Sequence, residues 1–259
     1  MENYKTIEEY ILNVGVDLRN CNLSGVDMTR ADLRNVLLPD DVNLFQKIKK
    51  RSLLKTKLPE LDYSKYNFEN VILNGTEFQY NSKLPNRNDL FQIIFNKELY
   101  ETKLPKININ DYDFSEVKIS KTIFTKDSDI GVDIELFQKI YNKSLYGTVM
   151  PIGDYSKFNF KDVQIIGTNF QEKSMLPNKI DFFQNIFDKS ALKTILPSSM
   201  LSNIDMYNLT DIEIDLTLYK INIFKIYNIY EKYKDNTNII YPDFDMTYRK
   251  GKQIHIKNN

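Results

Sequence analysis

The chain has one cysteine, one histidine and no tryptophan among 259 residues. A single cysteine excludes an internal disulfide framework, and a single histidine beside it leaves no ligand set for a Cys/His zinc site. Net charge is missing too, because 35 basic residues balance 35 acidic ones. No global field therefore draws nucleic acid or an anionic membrane. The longest like-charged run, Lys49-Lys50-Arg51, has the length of a solvated surface patch. No apolar run approaches the roughly 20 residues of a membrane span. The opening stretch, MENYKTIEEYILNVG, lacks a basic segment followed by an apolar one, so no secretory leader is expected. These features set the expectation of a cytoplasmic protein, with delivery by a dedicated secretion machine left open. The bias towards Asn, Lys, Ile and Tyr is that of an AT-rich, low-GC bacterial genome.

Catalytic signatures are equally scarce. No P-loop, GxSxG, HExxH, CxxC or EF-hand pattern is present. Carboxylates are scattered, and Asp62 and Asp154 recur only in part, which gives no glycosidase-like pair. His255 has no partner nearby in sequence. The expectation is a non-enzyme without cofactor or metal.

What the chain does have is repetition. Phe45, Phe91, Phe137 and Phe183 stand 46 residues apart, each followed by a glutamine: Gln46, Gln92, Gln138 and Gln184. Thr56, Thr102, Thr148 and Thr194 keep the same step, as do Pro59, Pro105, Pro151 and Pro197. An exact long period means one supersecondary unit stacked several times.

A second period, of five, runs inside the first. Leu53, Leu58, Tyr63, Phe68, Leu73 and Phe78 fall at every fifth position, and Leu99, Leu104, Ile109, Phe114, Ile119 and Phe124 repeat them. A small or apolar residue stands two places before most of these, such as Thr56, Val71 and Thr76. Each step of five turns about 140° on an α-helix, so no single apolar stripe results. A flat strand would need strict alternation. Gaps of two and three suit a chain that runs extended, turns a corner and wraps round an apolar axis, which is a β-solenoid. Cys21 then occupies an inward small position and is expected in the core, where a thiol is inert.

The N-terminal pentads carry a family resemblance. Val16-Asp17-Leu18-Arg19-Asn20, Cys21-Asn22-Leu23-Ser24-Gly25, Val26-Asp27-Met28-Thr29-Arg30 and Ala31-Asp32-Leu33-Arg34-Asn35 resemble the pentapeptide-repeat family. Later pentads, such as Tyr66-Asn67-Phe68-Glu69-Asn70, are looser. The resemblance implies a mainly β protein, a right-handed quadrilateral β-helix of about four pentads per coil. Each 46-residue unit departs from that pattern by 16 extra residues, such as Asn81 to Asn96. In that stretch Asp89 suits an N-cap, and Phe91, Ile94 and Phe95 share a helical face. Six pentads plus one insert would fill two coils, a rise of about 9.5 Å, which matches the 8–10 Å spacing of packed helices. The expected architecture is therefore a solenoid with short stacked α-helical inserts and helical caps.

Three segments follow from this reading. Residues 1–15 form an N-terminal helical cap opened by the capping box Thr6-Ile7-Glu8-Glu9. Residues 16–217 form the solenoid of four units. Residues 218–259 form an aromatic helix, on Ile221, Phe224, Tyr227, Tyr230 and Tyr233, and a capping tail. The polar residues that could contact a partner are Gln46, Gln92, Gln138 and Gln184, with Tyr230 and Lys234. For the glutamines the competing reading is backbone satisfaction where each helix rejoins the coil. The threonines point inward, which argues against an outer ice-binding array. The expected function is protein–protein interaction or scaffolding, with another protein as partner. A secreted effector or substrate-recognition module is a second reading, although the catalytic cysteine domain of effector ubiquitin ligases has no counterpart. DNA mimicry that protects topoisomerase is a third, and the balanced charge argues against it.

Overall fold

A computed structural model of the chain describes residues 4–197, 199–200 and the short segments 213–215, 235, 239–240, 244–245 and 255–256. Helix α1, Ile7–Val14, opens it. The Glu9 N–H donates to Thr6 Oγ1 at 3.3 Å, and the Thr6 N–H donates to the Glu9 carboxylate at 3.4 Å. These two bonds satisfy two otherwise orphan donors of the first turn. Gly15, at φ 101°, ends the helix with its N–H on the Ile11 carbonyl.

Beyond α1, successive passes of the chain lie side by side and parallel. Bridges join Ser52 to Ile72, Glu98 to Lys118 and Ser144 to Gln164, each 20 residues on. Others join Glu77 to Lys103 and Ile123 to Val149, each 26 residues on. One short and one long pass make up the 46-residue unit.

Named strands are few, and most of the ladder consists of single bridges. The cause is local. A corner follows many inward residues, closed by a bond from the N–H three places on, as from Thr56 to Leu53 and from Val71 to Phe68. The third residue of many corners is left-handed, as at Lys55 (φ 56°), Asn70 (φ 54°) and Gly75 (φ 69°). That is the geometry of a type II turn, and a turn every five residues leaves no room for a long strand. The Asp or Asn before each inward residue also has a task. Asp32, Asp62 and Asn67 each accept the N–H two residues ahead, at 3.3, 2.9 and 2.9 Å. These Asx turns pin the corner.

Inward residues form one continuous core through the described passes. Thr56, Thr76, Thr102, Thr122, Thr148, Thr168 and Thr194 are all fully buried. Each donates its hydroxyl to a backbone carbonyl of the pass before it, for example Thr122 to Leu99 at 2.7 Å and Thr148 to Ile119 at 2.9 Å. Two threonine sets that look separate in sequence therefore merge into one column. Each of these carbonyls already accepts the N–H that closes its own corner, so the hydroxyl takes its second lone pair.

The inserts contain one-turn helices: α2 at Leu44–Lys47, α3 at Leu90–Ile93 and α4 at Leu136–Lys139, with a longer α5 at Lys179–Asn185. Phe45, Phe91, Phe137 and Phe183 are buried on the core side. Two expectations are corrected here. Phe95 does not share the face of Phe91 and Ile94. It is 42% exposed, because α3 ends at Ile93 and a tight turn with left-handed Asn96 swings it outward. Nor do α2 and α3 lie directly against each other. The turn at 67–70 sits between them, with Asn67 N–H on the Val42 carbonyl and Asn70 N–H on the Ile93 carbonyl. A unit rises by two passes, and the corner of the intervening pass fills the gap. Asp89 stands at the N-cap of α3 without a capping bond; its carboxylate is held by Arg87 at 2.6 Å.

Parallel pairing is also seen further along the chain, out to Ile240. Strands β1 (Ser190–Ala191), β2 (Glu213–Asp215) and β3 (Ile239–Ile240) form one parallel sheet in that order. Strands β4 (Phe244–Asp245) and β5 (His255–Ile256) pair antiparallel. The aromatic helix expected around 221–233 lies outside the described residues.

Buried tyrosines make the fold sensitive to alkali. Tyr63 and Tyr155 donate their hydroxyls to the Pro59 and Pro151 carbonyls at 2.7 Å, and burial pushes both well above the ordinary phenol range. Tyr66 and Tyr112 are pushed up to about 12 by burial and, less, by neighbouring aspartates. The unfolded chain ionises near pH 10. With folded values raised, this stabilisation is fully present below about pH 10 and is lost as pH rises towards about 12 and beyond. Urea unfolding at pH 11 should therefore show a lower midpoint than at pH 9. An unchanged midpoint would mean that the rings are solvated.

Candidate interaction surface

The glutamines that follow the buried phenylalanines are clamps. Gln46 Nε2 donates to the Asn67 and Glu69 carbonyls at 3.1 and 2.8 Å. Gln92 reaches Asp113 and Ser115 at 3.0 and 2.8 Å, and Gln138 reaches Asn159 and Lys161 at 3.1 and 2.9 Å. Each amide thus ties a one-turn helix to the corner of the next pass. Gln184 is exposed at the corresponding place on α5. Tyr230 and Lys234 lie outside the described residues. Gln92→Ala should cost about 1–3 kcal/mol, the worth of paired carbonyls left open, as read from chemical denaturation. A fully stable variant would free the column for a binding role.

Cys21 is half-buried rather than buried. It lines a cleft of about 370 Å³ with Asn22, Asp41, Leu44 and Lys47. A second cleft of about 240 Å³ lies at the equivalent place two units on, among Asp113, Asp133, Leu136 and Lys139. Both arise because alternate inserts carry an Asp–Lys pair, Asp41 with Lys47 and Asp133 with Lys139, each at 2.6 Å. The intervening insert has Arg87 and Ile93 at those positions. Both pairs are satisfied within the chain. No group of three or more His, Cys, Asp or Glu side chains among the described residues could hold a metal. No helix among them is long and apolar enough to cross a membrane.

The feature that sequence reasoning missed is a change of surface along the molecule. In the early passes the outer side of the coil carries charge. Asp32, Lys57, Glu77 and Lys103 follow one another up a ladder of parallel bridges, with Lys103 on Glu77 at 2.8 Å and Lys57 near Asp32 at 3.8 Å. The same ladder continues as Ile123, Val149, Asn169 and Ile195. Over residues 144–151, 164–171 and 190–197 the only charged residue is Lys193. The corner column reads Lys55, Gly75, Glu101, Lys121, Gly147, Gly167 and Lys193. Tyr146, Ile195 and Ile123 stand out from this region, 43%, 42% and 38% exposed. The neutral stretch was legible in the one-letter sequence, but only to a reader who knew which residues become neighbours.

Residues 14–38 match the family model described as pentapeptide repeats (8 copies). This N-terminal stretch carries pentapeptide repeats. Pentapeptide repeats generally form a right-handed β-helix, and the parallel passes and five-residue corners described above are compatible with that. No curated protein and no solved structure matches this chain significantly.

Proposed function

We propose that this chain is a non-enzymatic interaction scaffold of the pentapeptide-repeat type. Its bridged passes are the coils of a right-handed, four-sided β-helix, and its inserts are struts that brace alternate coils. Another protein binds the neutral surface around Tyr146, Val149, Ile166 and Ile195. One observation carries this reading: residues 144–151, 164–171 and 190–197 hold no charge but Lys193, while Tyr146 and Ile195 remain exposed. Protein-binding patches have that composition, with charge depleted and aromatics enriched at the centre. Stacked repeats also supply a rigid, extended surface. The test is affinity capture from the source cells with wild type and with Tyr146→Glu, both checked for an unchanged thermal transition. Loss of the captured proteins in the variant is expected. Identical capture by both would remove this surface from the reading.

Topoisomerase protection by DNA mimicry asks for an acidic face. The ladder from Asp32 to Ile195 carries both signs low down and no charge from Ile123 on, so a gyrase supercoiling assay should show neither inhibition nor protection.

A further inference from the structure

We infer that two arginine–aspartate forks guard the open edges of the first pass, residues 16–35, against addition of an extended strand. The backbone defines those edges. In the parallel bridge of Asp17 with Leu37, the Leu18 N–H donates to the Leu37 carbonyl and the Leu37 N–H to the Val16 carbonyl. The Asp17 N–H and C=O therefore face the other way, off the end of the stack. Asp32 repeats this against Lys57, through the Leu33 N–H and the Ala31 carbonyl. Neither the Asp17 nor the Asp32 peptide has a backbone partner among the described residues. Unpaired rows of this kind are templates for another strand.

The other two sides of the first pass are covered. The Asp27 N–H donates to the Lys5 carbonyl at 2.9 Å, and its carbonyl accepts the Ile7 N–H at 3.0 Å. The Asn22 carbonyl accepts the Tyr10 hydroxyl of α1 at 2.8 Å. On these covered sides the residue two places on is small, Thr29 and Ser24. On the two open sides it is Arg19 and Arg34, and each guanidinium forks onto its aspartate. Arg19 meets Asp17 at 2.9 and 2.7 Å, and Arg34 meets Asp32 at 2.8 and 2.6 Å. The one further fork of this kind among the described residues, Arg87 on Asp89, lies in an insert. In the first pass the forks stand where cover is missing.

Stability does not call for them. All four side chains are 46–62% exposed, and exposed ion pairs add little. The turn does not call for arginine either, since Asn22 accepts the Ser24 N–H at 3.1 Å without one. At an edge the forks act differently. A strand laid against Asp17 or Asp32 would set its outer side chains about 4.8 Å from a fork. It would strip part of the water from both ions, which costs more than the existing pair returns. The arginine hydrogen bonds hold both carboxyls down to about 2, so the forks stay ionised at neutral pH.

Light scattering on the purified full chain, from micromolar concentrations to about 0.5 mM, tests the guard. The edge variant carries Asp17→Asn, Arg19→Ser, Asp32→Asn and Arg34→Ser. These copy the Asn22–Ser24 pair of a covered side and leave the net charge as it is. The control carries Asp41→Asn, Lys47→Ser, Asp133→Asn and Lys139→Ser, which removes as many charges from the inserts. The edge variant is expected to associate as concentration rises, reaching at least double the mean mass of wild type, while the control follows wild type. Amide exchange at positions 17 and 32 should slow in the associated form, because those N–H groups are then paired. If a variant melts below wild type, each protein is compared at the same interval below its own midpoint. An edge variant with the mean mass of wild type overturns the inference. So does a control that associates equally, since loss of surface charge then suffices. Association that leaves both amides unprotected overturns it too, since another surface then makes the contact.

Discussion

Phe114→Asp is expected to unfold the middle of the molecule. Phe114 is 3% exposed, with the rings of Phe91 and Phe124 at 5.0 and 6.0 Å. Removing a buried phenylalanine side chain alone costs about 3–5 kcal/mol. A carboxylate in its place adds several more, because nothing there pairs with it. Typical domains hold only about 5–15 kcal/mol in all. The buried carboxyl would also take up a proton more readily than in water, so the damage should be smaller at pH 4 than at pH 7. Thermal unfolding followed by circular dichroism decides the matter. A transition equal to wild type would mean that the inward frame is wrong. In a stacked array the loss is expected to centre on the neighbouring passes, with α1 affected least. Hydrogen exchange resolved along the chain would show this.

Phe137→Ala should cost about 3–5 kcal/mol, whereas Phe95→Ser should stay within about 0.5 kcal/mol. The two residues belong to the same kind of insert and look alike in sequence. Phe137 is fully buried and touches the rings of Phe158 and Phe160 at 5.2 and 5.1 Å. Phe95 stands outside on a left-handed turn. Paired denaturant titrations of the two variants measure the contrast directly. Equal losses would restore the single amphipathic face on which Phe91, Ile94 and Phe95 all point inward.

The glutamines show how a repeated polar residue can mislead. Four amides at one position suggest a groove for a ligand. Three of them are seen to spend their donors on carbonyls 21 and 23 residues ahead. Nothing local announces those partners, since the carbonyls arrive only when the next pass lies down. Cys21 is a smaller case. The five-residue frame places it inward, yet it borders a cleft, because the insert above it bears an Asp–Lys pair rather than an apolar filler.

By itself the sequence determined the period, the inward set and the corners. These are local: a residue's place in its pentad fixes whether it points inward, and the Asp or Asn beside it pins the following turn through a bond only two residues long. The N-terminal pentads carried a resemblance to pentapeptide repeats, and the family model matches them over residues 14–38. Only the tertiary structure decided which outer residues are neighbours. Lateral contact depends on the length of a pass, 20–21 residues or 25–26, and that length is set by how each insert folds back onto the neighbouring passes. The merging of the threonines into one column, the turn held between α2 and α3, and the neutral rows around Tyr146 all follow from that alternation. No window of five residues, or of 46, contains it.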